Sequence, residues 1–150
     1  MILNVSRIRV IKKKIEIDIK KNIYHITYYK NKQIKVQQYL FQLKKYKNKY
    51  NFLLHKNFFN GISPHIIQLF MNFILMLQKF IMQQNVWLDY FKKKLKKRLL
   101  VQNKLYSKLE QWKKLELRMK NCILRKNILM DQREDNVVCL NNYNILYINK

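Results

Sequence analysis

The sequence holds one glycine and one proline, Gly61 and Pro64, and they stand together in Gly61-Ile62-Ser63-Pro64. This is the most definite local instruction in the chain. The Ser63 hydroxyl is suited to cap a helix by accepting a backbone N–H bond. Pro64 suits the first helical position, where its missing N–H is not needed. A helix is therefore expected from about Pro64 to Gln84. Its polar residues His65, Gln68, Asn72, Lys79 and Gln83 fall on one narrow stripe, and nearly everything else is apolar.

Helical periodicity continues over 86–130. Leu105, Leu109, Trp112, Met119 and Ile123 keep a spacing of three and four, interrupted by Glu116. Glu110 with Lys114, and Glu116 with Lys120, are i,i+4 pairs in the favourable order. As one straight helix this segment would be roughly 65 Å long at about 1.5 Å per residue, against a radius of gyration of roughly 15 Å for a compact domain of this size. The expectation is a break near Gln102-Asn103 or a protruding helix.

The two ends read differently. Ile15, Ile17 and Ile19 alternate with Glu16 and Asp18, the pattern of a strand with one apolar face. Residues 23–29, IYHITYY, suggest a second strand after a turn at Lys20-Lys21-Asn22. Residues 33–46 lean to helix. In residues 44–60, lysines and aromatics interleave without a clean period, as in an extended arm. At the C-terminus, two short β-type runs flank Asn141-Asn142-Tyr143-Asn144, and asparagine tolerates the positive φ of a hairpin turn. The expected class is α+β, mainly α, in a single domain with extensions. It comprises a small N-terminal β element (1–30), a basic aromatic arm (31–60), a helical region (61–130) and a C-terminal hairpin or tail (131–150).

The formal net charge is +24, from 32 basic and 8 acidic side chains. A compact domain of this size would repel itself strongly, and a polyanion would relieve that repulsion. Part of the lysine excess has another origin. There is no alanine and one threonine, Thr27, while Lys, Asn, Ile, Tyr and Phe abound. That bias follows AT-rich codons and points to an AT-rich genome. It does not account for the stretch between Asp18 and Asp89, which contains no acidic residue.

The densest cationic feature is Lys92-Lys93-Lys94-Leu95-Lys96-Lys97-Arg98. On a helix it forms a collar of charge, with Leu95 and Phe91 facing inward. Such a collar neutralises phosphates; the plainer reading is a solvated face that keeps the chain soluble. A second group is Lys44, Lys45, Lys47 and Lys49, with Lys56. Beside it, Tyr46, Tyr50, Phe52, Phe58 and Phe59 either stack on unpaired bases or belong to the core.

Little supports catalysis. One glycine leaves no phosphate-cradling loop or dinucleotide fingerprint. His25, His55 and His65 lack metal-ligand spacing, and Ser6, Ser63 and Ser107 lie in no nucleophile motif. Asp131, Glu134 and Asp135 read as a helix end or loop. Cys122 and Cys139 are most simply reduced thiols. No cofactor, metal or small-molecule substrate is expected, and the chain reads as a binding protein and not an enzyme.

The N-terminal segment lacks the hydrophobic block of a secretory signal and contains Glu16 and Asp18, unlike acid-poor transit peptides. A matrix protein of the mitochondrion, encoded there or imported without cleavage, is the expectation. Charge and size suggest a structural constituent of an organellar ribosome, with ribosomal RNA and neighbouring ribosomal proteins as partners. The alternative is an accessory subunit of a respiratory or ATP-synthase complex. In that case residues 66–82 would form a short membrane helix, although Gln68, Asn72 and Gln78 count against it.

Overall fold

The computed structural model describes the backbone of residues 4–148 and the side chains of residues 4–144. Two helices account for almost all of it: α1, Val5–Phe59, and α2, Pro64–Ile148. The helix ends are set by short side chains. Asn4 Oδ1 accepts hydrogen bonds from the Arg7 backbone N–H at 2.9 Å and from the Ser6 hydroxyl at 2.8 Å, capping α1. Gly61 takes a positive φ of 76° just past the end of α1, the left-handed conformation that closes a helix C-terminus. Ser63 then opens α2 as its residue type implies: its hydroxyl accepts from the His65 N–H at 3.3 Å, and Pro64 is the first helical residue.

The expected β structure is absent. The described residues contain no strand, so the α+β class, the N-terminal β element, the extended arm and the C-terminal hairpin are all replaced by helix. The alternation of Ile15, Ile17 and Ile19 misled because it competes with a longer period. Ile8, Ile15, Ile19, Asn22 and Ile26 are buried, while Ile17 is exposed. Those buried positions step by three, four and seven, the period of a helix face. The isoleucine that suggested strands packs well at a helix seam. The arm and the C-terminal run contain no Gly or Pro before Gly61 or after Pro64, so nothing breaks either helix. α2 also passes through Gln102-Asn103 without a break. Residues Met1–Leu3 and Asn149–Lys150, at the tips of the expected terminal elements, lie outside the described residues.

The chain divides into two compact units, Lys20–Asn103 and a second made of Met1–Ile19 with Lys104–Lys150. In the first, the α1 and α2 segments run antiparallel on either side of the Asn60–Ser63 turn. Tyr50 meets Phe73 at 4.6 Å between ring centroids, Tyr29 meets Phe91 at 6.4 Å, and Asn22 meets Gln102. The seam of α1 runs through Asn22, Ile26, Tyr29, Gln33, Val36, Leu40, Leu43, Lys47, Tyr50 and Leu54. That of α2 runs through Ile67, Phe70, Ile74, Leu77, Ile81, Gln84, Leu88, Phe91, Leu95, Arg98 and Gln102. All are buried or half-buried. Both lists alternate steps of three and four, a strict seven-residue repeat, which is the spacing of a left-handed coiled coil.

One layer of this seam is polar. Asn22 Nδ2 donates to Gln102 Oε1 at 2.8 Å and to the Arg98 carbonyl at 2.9 Å. Both side chains are buried, and Asn22 Oδ1 accepts no hydrogen bond. A buried polar layer of this kind lowers stability but fixes register, because slipping the helices would strand the amides among apolar groups.

In the second unit the same repeat pairs Val5, Ile8, Lys12, Ile15 and Ile19 with Leu105, Leu109, Trp112, Glu116 and Met119. Glu116, the residue that interrupts the apolar spacing, is buried in the seam. It accepts a hydrogen bond from Lys12, and it pairs with Lys120 at 3.0 Å and Arg9 at 3.7 Å. The bonds from Lys12 and then Lys120 hold its carboxyl well below the usual range, at about 2, against the opposing effect of desolvation.

Candidate nucleic-acid interface

A two-helix seam buries one stripe of each helix and leaves the remaining faces to solvent or partners. Lys20–Asn103 holds seventeen Lys and Arg residues, fifteen of them outside the seam, against one acid, Asp89. More than half of the chain's cations thus belong to a unit with a single acid.

The collar lies in this unit. Lys92, Lys93, Lys96 and Lys97 are exposed, while Lys94 and Arg98 are half-buried at the seam edge. Leu95 and Phe91 face the partner helix, as their spacing suggested. The arm lysines are part of helix α1. Lys44, Lys45 and Lys49 are exposed, whereas Lys47 occupies a seam position and is half-buried. The two groups do not meet. The collar stands at the level of Asn22 and Tyr29, the arm lysines near Tyr50, and Tyr29 and Tyr50 are about 30 Å apart at about 1.5 Å per residue. Of the arm aromatics, Tyr50 is taken up in packing against Phe70 and Phe73, and Tyr46, Phe52, Phe58 and Phe59 are exposed.

Beside the collar is a feature that the sequence reading missed. An open groove runs along the edge of the seam, lined by Tyr28, Tyr29, Lys32, Lys35, Val36 and Tyr39 of α1 and by Gln84, Trp87, Tyr90 and Phe91 of α2. Trp87 stacks on Phe91 at 5.8 Å and 25°. The Lys32 ammonium lies 5.6 Å from the Tyr28 ring centre, and the Lys94 ammonium 5.6 Å from that of Tyr90. These contacts hold cations beside aromatic faces. The spacing carries the signal. Tyr28, Lys32, Lys35 and Tyr39 step by four, three and four along one face of α1. Trp87, Tyr90, Lys94 and Lys97 step by three, four and three along one face of α2. The groove therefore leads directly into the collar. Asp89 points about 100° away from Tyr90 around the helix.

This arrangement offers flat aromatic surfaces rimmed by ammonium groups, with no carboxylate on the face. It suits unstacked bases joined by phosphates, for which base–aromatic stacking contributes about 1–3 kcal/mol per base and lysines supply the salt-dependent part of binding. Among the described residues, no group of His, Cys, Asp or Glu is placed to hold a metal. Cys122 and Cys139 are both free and exposed. The chain matches no family model, no curated protein and no solved structure, so its chemistry is the ground on which this surface is read.

Proposed function

We propose that the protein is a non-catalytic, RNA-binding structural component of a large ribonucleoprotein, with an organellar ribosome as the assembly that its composition favours. The observation that carries the reading is the aromatic groove running into the Lys92–Arg98 collar in a unit with one acid. Single-stranded or looped RNA would lay bases against Trp87, Tyr90 and Tyr28 and phosphates against Lys32, Lys35 and Lys94 to Lys97. Lys44, Lys45 and Lys49 would meet a second backbone segment farther along. The many exposed apolar side chains, such as Phe41 at 70% and Phe59 at 86% exposure, would be covered by neighbouring proteins.

A second reading, an accessory subunit of a membrane complex, is favoured by one observation. α2 is long and apolar enough to cross a membrane by length and composition, and its apolar window is only 11% buried. Ile66, Leu69, Met71, Leu75 and Met82 form part of that exposed surface. Against a full span, Tyr50 packs on Phe70 and Phe73. The adjoining turn of α1 would therefore carry Lys47 and Lys49 to the same depth, at about 2.5–3.5 kcal/mol for each lysine at the bilayer centre.

The test is a density gradient of detergent-solubilised organelles, run with and without ribonuclease. Co-sedimentation with a ribosomal particle that collapses on ribonuclease treatment is expected. A ribonuclease-insensitive peak with membrane complexes would overturn the proposal in favour of the second reading.

A further inference from the structure

The α1–α2 seam does not end where α1 ends. Glu116 is matched to Lys12 and Arg9, and α1 starts one turn beyond Arg9, at Val5. α2 continues to Ile148, and every residue from 121 to 144 is exposed. The seven-residue repeat nevertheless carries on. After Met119 the seam positions fall on Ile123, Lys126, Met130, Arg133, Val137 and Leu140. Ile123, Met130, Val137 and Leu140 are 48%, 59%, 54% and 63% exposed. Three heptads, apolar at four of their six seam positions, thus extend an established helix–helix interface into a stretch that no described part of α1 reaches.

The charge of this stretch points to its occupant. Residues 121–144 carry three basic residues (Arg125, Lys126, Arg133) and three acidic ones (Asp131, Glu134, Asp135), so they are neutral in a chain of net charge +24. RNA has little to hold there, and two copies can approach there without the repulsion that the rest of the chain would impose. The order of charges is self-complementary. Lys126 lies on the seam and Glu134 flanks it, so an antiparallel copy centred near Met130 brings each Lys126 alongside the Glu134 of its mate. The same alignment brings Ile123 alongside Val137. A two-fold interface requires this reciprocity: residue i meets j, and j meets i.

We propose that residues 121–144 of α2 form an antiparallel helix pair with the same residues of a second copy, making the protein a homodimer. This rests on the helix seam and not on the RNA reading, and each can fail without the other.

The alignment makes a separate geometric prediction. It sets Cys122 of one copy at the level of Cys139 of the other and on the same flank of the pair, whereas within one helix the two thiols are about 25 Å apart at about 1.5 Å per residue. The full chain, at tens of micromolar in salt high enough to screen its charge, is examined by sedimentation equilibrium and by a short bismaleimide cross-linker. A species of twice 18.7 kDa is expected, together with a covalent dimer that is lost in both Cys122→Ser and Cys139→Ser. Met130→Glu would weaken dimerisation at least about tenfold through two facing carboxylates while leaving the circular dichroism unchanged. A monomer at these concentrations overturns the proposal. So does a covalent dimer that survives in either single-cysteine variant, which would mean parallel pairing. A dimer indifferent to Met130→Glu overturns it as well.

Discussion

Replacing the polar layer of the Lys20–Asn103 seam should make the protein more stable, and only when both partners are replaced. Asn22 and Gln102 are 3% and 7% exposed and hydrogen-bond each other at 2.8 Å. In Asn22→Leu the new side chain contributes about 1.5–3 kcal/mol by burial. The Gln102 amide left behind costs about 1–3 kcal/mol as an unsatisfied buried group, so the single variant should lie within ~1 kcal/mol of the parent. Gln102→Leu should behave similarly, since Asn22 loses one of its two partners and keeps the Arg98 carbonyl. In the double variant both amides are gone, including the unsatisfied Asn22 Oδ1. Two buried leucines replace two hydrogen bonds with a net value of about 1 kcal/mol each, for a gain of ~1–4 kcal/mol. With a urea m-value of about 2 kcal/mol/M, the midpoint should rise by ~0.5–2 M. The assay is urea denaturation of all four proteins, followed by circular dichroism. A double variant no more stable than the parent, or two single effects that simply add, would refute the reasoning that this layer trades stability for register.

Other expectations follow from single residues. Because the folded-state carboxyl of Glu116 is lowered from 4.5 to about 2, the stability it contributes is fully present above pH ~4.5 and is lost as pH falls toward 2. The denaturation midpoint of the parent should therefore fall through that window. That of Glu116→Gln should be lower at pH 6 and change less on acidification, and identical pH profiles would contradict the pairing. Gly61→Ala meets no steric obstacle but must hold a positive φ of 76°. It should cost about 1–2 kcal/mol and lower Tm by ~3–6 °C; an unchanged Tm would remove the turn from the account. Trp87→Ala should weaken binding to single-stranded RNA by about 1–3 kcal/mol with little change in its salt dependence, as stacking requires. A loss confined to the salt slope would contradict its placement as a stacking surface.

Much of α2 was legible in the sequence, and its start at Ser63-Pro64 was correctly placed because capping chemistry is local. The spacing of Leu105, Leu109, Trp112 and Met119 was legible too, and so was the inward side of the collar at Phe91 and Leu95. α1 was misread because its abundant isoleucine and tyrosine carry β propensity over windows of five to seven residues. The seven-residue repeat shows only across several turns, and it passes through residues that do not look like core: Lys12, Asn22, Gln33 and Lys47. The groove was missed for a related reason. Its two rows, Tyr28 to Tyr39 and Trp87 to Lys97, each have a simple spacing, but nothing in the sequence says that they share an edge until α1 is known to be a helix antiparallel to α2. Lys47 was assigned to an interaction arm and Tyr50 left open between base stacking and the core, and the seam takes up both.

The most direct test of RNA binding by the Lys20–Asn103 unit is the salt dependence of affinity. The full chain and a variant with Lys92, Lys93, Lys96 and Lys97 all changed to Gln would be titrated against a fluorescent single-stranded RNA over a range of salt concentrations. All four lysines are exposed and outside the seam, so the fold should be retained by circular dichroism. Each phosphate contact contributes about 0.7 to the slope of log K against log salt on a single strand. The account predicts a salt slope shallower by ~3 in the variant, with affinity at moderate salt reduced by two to three orders of magnitude. An unchanged slope, or a parent chain that does not bind RNA, would contradict it.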